Sequence, residues 1–466
     1  MNAYLLFLTL LINHVYARDI DYCFKEENDP YLYMGTKTAY HFVYHKDRFQ
    51  EVPNCHAKQI WMLVTHGTRC PEESEIIEML KLTDLQTQII NNHESRNNGH
   101  MCNKDLDNLK KWKPREYIVF ERAKVLAPQG VEDMRLLARR LQSSFPRLLQ
   151  PNSNENITDQ DYVFKESDAH NSLGAFMEGL FKDRNAVQVE KVPENDTLLT
   201  MYKTCDSWEY NNISYDEVIS FEQGKDFRNL VENVSRRLGF LYNISKDSIL
   251  TMYDMCRYEK AWTVTQLSPW CAVFSKEELH VLEYREDLYY YYKAGYGREI
   301  NARLGCTLLQ DMMNHFWKVE QENESNESNH PKGVFYFSDT ISLLNLLTTL
   351  NINKDQMQLT AFNYKEMAKR QWRTSFISSF AANLVAIFYK CEASDQPNKV
   401  MFYLAEKLVM LDECHVGLCD WEYLKQKFNP VLKQCDMKIC WNGVAISLPN
   451  FVLLTLSCFS LIFIRE

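Results

Sequence analysis

The chain has 466 residues, 45% of them hydrophobic and 24% charged, so it can bury a large core and has room for two domains or for one domain with a large insertion. Its formal net charge of -10 argues against a general nucleic-acid binder. The same charge makes a highly anionic ligand an awkward partner unless basic residues are gathered locally.

Taken in chain order, Tyr4 to Ile12 form an apolar stretch of signal-peptide length, and Val15-Tyr16-Ala17 fits a cleavage site after Ala17, which sets residues 1–17 apart as a signal peptide. Ile60 to Val64 is a continuous apolar run of strand formers that stops abruptly at Thr65-His66-Gly67, the pattern of a buried parallel strand. The string Thr65-His66-Gly67-Thr68-Arg69-Cys70-Pro71 therefore sits at a strand's C-terminal end, where open α/β sheets bind ligands. A histidine imidazole attacks phosphorus directly when cations hold the phosphate oxygens and an acid protonates the leaving alcohol. His66 and Arg69, three apart, are candidates for that nucleophile and clamp, although by itself so short a string fits an ordinary loop better. Glu72, Glu73, Glu75 and Glu78 follow at once, either as like charges crowding the site or as a solvated helix start whose acids suit the dipole.

Val131, Met134, Leu137, Ala138 and Leu141 keep helical spacing and predict a helix covering the sheet. From about 181 to 325 the pattern is mainly helical and aromatic-rich, ending in a polar Asn/Glu/Ser loop. A second apolar strand, Gly333 to Phe337, follows. The arrangement predicts an α/β domain in two pieces, 18–180 and 326–440, interrupted by a helical insertion at 181–325. Gly443 to Ile464 is apolar enough to span a bilayer, and it equally fits a lipid-anchor signal with Asn442 or Gly443 as the attachment residue.

Fourteen cysteines without tight metal-type spacing favour disulfides over zinc, and no cofactor or metal is called for. Seven sequons, at Asn156, Asn195, Asn212, Asn233, Asn243, Asn323 and Asn326, agree with passage through the secretory pathway to the cell surface or beyond.

Further strings lift the short motif above chance. They are Gly35-Thr36-Lys37-Thr38, Asp133-Met134-Arg135 after Gly130, Phe176 with Gly179-Leu180, Ser268-Pro269-Trp270-Cys271, Leu282-Glu283-Tyr284, Gly295-Tyr296-Gly297, Asn363-Tyr364-Lys365 and Cys391-Glu392. Together with the motif they make the chain resemble multiple inositol polyphosphate phosphatase, a branch of the histidine acid phosphatases. The resemblance covers most of the mature chain. It implies a histidine-phosphatase (phosphoglycerate-mutase-like) α/β domain under a helical lid, and inositol polyphosphate as the ligand of an active site. It also implies disulfides between Cys55 and Cys391 and between Cys256 and Cys271, and leaves Cys70 as either a free thiol or a new disulfide partner.

Carried over residue by residue, the resemblance exposes losses. His66 keeps the nucleophile position and Arg69 one clamp, but Thr65 stands where the family motif has its first Arg. Asp168 aligns with another family Arg. At the distal motif a gapless register puts Asp339 at the His and Ile341 at the acid, whereas a one-residue shift makes Asp339 a candidate proton donor. In the gapless register the site's formal charge moves by about -3. The expectation is an exported family member that is catalytically weak or inactive. Two alternatives stay open: an active phosphatase using His66, Arg69 and Asp339, and a surface glycoprotein acting as a binding or structural component.

Overall fold

The apolar run at residues 60–64 lies in the C-terminal half of β1 (Cys55–Thr65), the central strand of a mixed sheet in a computed structural model. That structure describes residues 23–24, 30–46, 49, 52–150, 160–167, 171–209, 213–322, 330–392 and 394–441. The expected signal peptide, Asn156, Asp168, Asn212, Asn323, Asn326 and the C-terminal apolar segment lie outside the described residues. Among those described, no helix is long and apolar enough to cross a membrane.

The other strands are β2 (Tyr162–Glu166), β3 (Val189–Glu190), β4 (Gly333–Ser338), β5 (Asn383–Cys391), β6 (Asn398–Leu404), β7 (Lys407–Leu408) and β8 (Leu418–Asp420). Their order is β3-β2-β4-β1-β5-β6-β7, with β8 paired to β6. β1 runs parallel to β4, as its apolar character predicts, but antiparallel to β5 on its other side. Alternation along β1 sends Ile60, Met62 and Val64 to one face and Trp61 and Leu63 to the other, all fully buried. Each such side chain contributes about 1.5–3 kcal/mol through burial.

In chain order the helices that frame the site are α1 (Glu73–Leu80), α2 (Leu82–Glu94), α3 (Asn103–Lys110), α4 (Pro128–Ser144), α5 (Ser172–Phe181), α6 (Lys225–Arg237), α7 (Lys246–Trp262), α8 (Lys276–Lys293), α9 (Cys306–Gln321), α10 (Thr340–Thr349) and α11 (Trp421–Lys433). The predicted helix around residues 130–141 is α4, opened by Pro128 in the first turn, where its missing N–H costs nothing. Met134, Leu137 and Leu141 of α4 and Phe176 and Leu180 of α5 cover the Ile60 face. α9, α10 and α11 cover the Trp61 face, where the Trp61 indole donates to Asp311 at 2.9 Å.

The apolar core on that second face continues without a break into the helical layer of α6, α7 and α8. Two of its helices have firm starts: Ser245 accepts from Ser248 N at 3.0 Å before α7, and Ser275 forms a capping box with Glu278 before α8. α2 and α3, from the stretch that the sequence reading gave to the α/β part, also belong to this layer. Trp112 makes the join: its indole donates to Glu259 at 2.8 Å and its ring meets Trp270 edge-on at 5.1 Å.

Disulfides connect Cys23–Cys102, Cys55–Cys391, Cys205–Cys440, Cys256–Cys271, Cys306–Cys435 and Cys414–Cys419. The Cys55–Cys391 bridge staples β1 to β5 at residues already opposite in the antiparallel register. Cys70 is a buried free thiol, which burial pushes above its ordinary pKa although the Arg122 and Arg69 charges act the other way.

Candidate active site

Strand register places the site. Thr65 of β1 pairs with Ser338 of β4, and Phe337 of β4 pairs with Glu166 of β2. His66 and Asp339, the next residues on their strands, therefore leave the sheet along one edge. Ser167 N donates to Phe337 O at 2.8 Å, so Ser167 stands at that same edge.

The turn that carries His66 is held by its backbone. Ala381 N donates to His66 O at 2.9 Å, Gly67 N to Ser172 Oγ at 3.0 Å, and Ala127 N to Thr68 O at 2.9 Å. Gly130 of α4 lies so close that a Cβ there would sit 2.2 Å from Thr68 O, so only glycine allows this helix to approach the turn. Beneath it, the buried Asp133 accepts from Gln129 at 2.9 Å and from the Thr68 hydroxyl at 3.4 Å. Burial pushes its carboxyl up to about 6.

His66 is partly buried, its ring 5.8 Å from that of Phe380. Its Nδ1 lies 3.2 Å from Gly67 O, and a carbonyl only accepts, so Nδ1 carries the proton and Nε2 the lone pair. Arg69 Nε donates to that Nε2 at 3.3 Å. The rest of the guanidinium is divided: Nη2 donates to Glu72 Oε1 at 3.2 Å, while Nη1 is buried without a partner. Trp262 of α7 fixes the arginine's backbone, donating to Arg69 O at 3.0 Å.

Around this pair lies a charge network that sequence reading did not assemble. Lys37 Nζ binds Glu75 Oε1 at 2.7 Å and Asp254 Oδ1 at 3.0 Å, and lies 5.0 Å from the centre of the Tyr258 ring. The Tyr258 hydroxyl donates to Glu75 Oε2 at 2.8 Å, and its ring stands 6.1 Å from Phe380. Arg257 donates to Asp254 at 2.6 Å, to Met34 O at 3.1 Å and to Glu286. Burial opposes charge on Asp254, but Lys37 and Arg257 outweigh it and hold its carboxyl below the usual range. On α7 the charges divide by burial: Lys246 and Asp247 open its first turn, whereas Arg257, Glu259 and Lys260 are buried in its last turns.

Thr65, Asp339 and Ile341, the positions expected to differ from the family motifs, make scaffold contacts. Thr65 is buried, with its hydroxyl donating to Ser379 O at 3.4 Å. Asp339 is the N-cap of α10: Oδ1 accepts from Ser342 N at 3.0 Å and from Ser342 Oγ at 3.1 Å, and Oδ2 accepts from the Tyr202 hydroxyl. Ile341 packs into the apolar cluster of Met201, Tyr202 and Trp208. The glutamates after the motif divide by direction. Glu72 and Glu75 turn toward Arg69 and Lys37, while Glu73 is exposed and Glu78 pairs with Lys81 at 2.5 Å. Asn195 and Asn243 are exposed, and Asn233 is partly exposed on α6. Among the described residues Cys23, Cys102 and Asp105 have metal-type proximity, but the two sulfurs are bonded to each other.

A histidine and an arginine on the turn after the central strand of such a sheet, under a helical layer, define a protein of the histidine phosphatase class, and the Histidine phosphatase superfamily (branch 2) family matches residues 58–404. The chain is 38% identical over 464 residues to multiple inositol polyphosphate phosphatase 1 of Drosophila melanogaster, covering 96% of each. It is 31% identical over 441 residues to the Homo sapiens protein of the same name, covering 87% of each. The chain belongs to the multiple inositol polyphosphate phosphatase family. Its fold is shared with the phytase from D. castellii, at a TM-score of 0.64 and 13% identity over 88% of this chain and 86% of that one. It is shared too with the Bifidobacterium longum multiple inositol polyphosphate phosphatase solved with inositol hexasulfate, at 0.59 and 12% over 84% and 96%.

Proposed function

We propose that this chain is an exported, membrane-attached member of its family in which phosphatase chemistry is weak or lost. The observation that carries the reading is Asp339. It works as a helix cap and as an acceptor for Tyr202, whereas a leaving alcohol needs a proton donor. Thr65 supplies no cation, and Arg69 shares its guanidinium with Glu72. Losing one preorganised charge donor typically costs on the order of 10²-fold in rate, and several are gone here.

The chemistry to test is that in the names of the fly and human relatives, hydrolysis of inositol polyphosphate. Phosphate release from inositol hexakisphosphate and from an aryl phosphate, compared between wild type and His66→Ala, decides the matter. A clear His66-dependent rate would establish the second reading, an active phosphatase forming a phosphohistidine. One observation favours that reading: the Gly67 carbonyl fixes the proton on Nδ1 and so turns the Nε2 lone pair toward Arg69, the clamp position. Export and attachment rest on residues 1–17, the sequons, the disulfides and residues 443–464. Release of surface protein by a phosphatidylinositol-specific phospholipase C supports the lipid anchor, and resistance supports a span.

A further inference from the structure

The cations beside His66 do not face an empty cleft; each holds a carboxylate of this same chain. Lys37 holds Glu75 and Asp254, Arg257 holds Asp254 and Glu286, and Arg69 holds Glu72, which Lys124 also approaches at 3.5 Å. Four cations thus meet four acids, and the cluster is neutral. A polyphosphate entering it gains no net attraction and meets carboxylates where it needs positive charge.

Glu72 differs from the other three. Its Oε1 lies against Nη2 of the one clamp arginine that also contacts the His66 imidazole, and the neighbouring Nη1 is buried without a partner. Arg69 therefore presents a fork with one tine taken, whereas a phosphate group binds a guanidinium through two parallel N–H donors. We propose that Glu72 is the specificity-determining residue of this cleft, an internal counter-anion that occupies the phosphate-binding edge of Arg69 and excludes polyanionic ligands. The inference deepens the reading of a weakened phosphatase and rests on it, but it concerns binding and needs no turnover.

The test uses Glu72→Ser. Serine is a strong N-cap and forms a capping box with Glu75, so α1 keeps its start while the carboxylate is removed. Calorimetric titration of the full glycoprotein with inorganic phosphate, and separately with inositol hexasulfate, compares wild type, Glu72→Ser, and Glu72→Ser combined with Arg69→Ala. Glu72→Ser is expected to bind each probe at least about tenfold more tightly, with the gain shrinking as salt rises and vanishing in the double variant. Unchanged affinity in a Glu72→Ser protein of wild-type melting temperature overturns the proposal, as does a gain that survives loss of Arg69. The two readings fail separately. Phosphatase activity in wild type would refute the weakened enzyme without touching the phosphate titration, and a flat titration would refute the role of Glu72 while leaving inactivity intact.

Discussion

Replacing Asp133 by Asn tests whether the turn carrying His66 is supported as described. Asp133 is buried under Thr68, and its carboxyl is raised from an ordinary value of 3.8 to about 6 because burial disfavours its charged form. The native state therefore binds its proton more tightly than the unfolded chain. Between about pH 4 and 6 the native state carries the extra proton, so stability falls as pH rises and levels off above 6. A shift of about two units corresponds to about 3 kcal/mol lost by pH 7.5 relative to pH 4. Asn keeps an acceptor for Gln129, and its amide donates to the Thr68 hydroxyl, but nothing titrates. Thermal melts of wild type and Asp133→Asn at pH 4.5 and 7.5 should show the variant more stable at the higher pH and the gap closing at the lower. A variant that is less stable at pH 7.5, or a pH dependence identical in both proteins, would refute the placement of Asp133 as a desolvated acid.

Gly130→Ala should destabilise the protein by about 1–3 kcal/mol or more in denaturant titration, because the added Cβ meets the Thr68 backbone, which cannot yield without moving the His66 turn. Removing the staple with Cys55→Ser and Cys391→Ser together should cost about 2–5 kcal/mol by the same assay, since the bridge closes a loop across most of the chain. In secreted material, Asn195→Gln and Asn243→Gln should each remove one glycan on an electrophoretic shift. Asn233→Gln should remove none, because Ser235 of that sequon is buried, donating to Val231 O at 2.6 Å and accepting from Ile244 N at 3.0 Å.

The elements legible in the sequence were those whose cause is local. Five consecutive apolar residues marked the buried part of β1, but not its first residues from Cys55, where the polar His56, Lys58 and Gln59 break the apolar run. The helix around residues 130–141 was readable from its spacing. The motif gave His66 and Arg69 because three residues of one turn bring them together. The antiparallel pairing of β1 with β5 was not legible, since it depends on residues more than three hundred positions away. Nor was the network that neutralises the site, because Lys37 and Asp254 are 217 positions apart and meet only when α7 packs over the sheet edge. The direction of the glutamates was likewise undecidable from sequence: the same run supplies two acids to the site and two to solvent-facing positions.

The most direct measurement is the initial rate of phosphate release from inositol hexakisphosphate by purified wild-type protein beside His66→Ala. The proposed reading, in which several preorganised donors are missing, predicts rates that agree within about twofold, both near background. A wild-type rate about 10²-fold or more above the variant would contradict it and make His66 a working nucleophile.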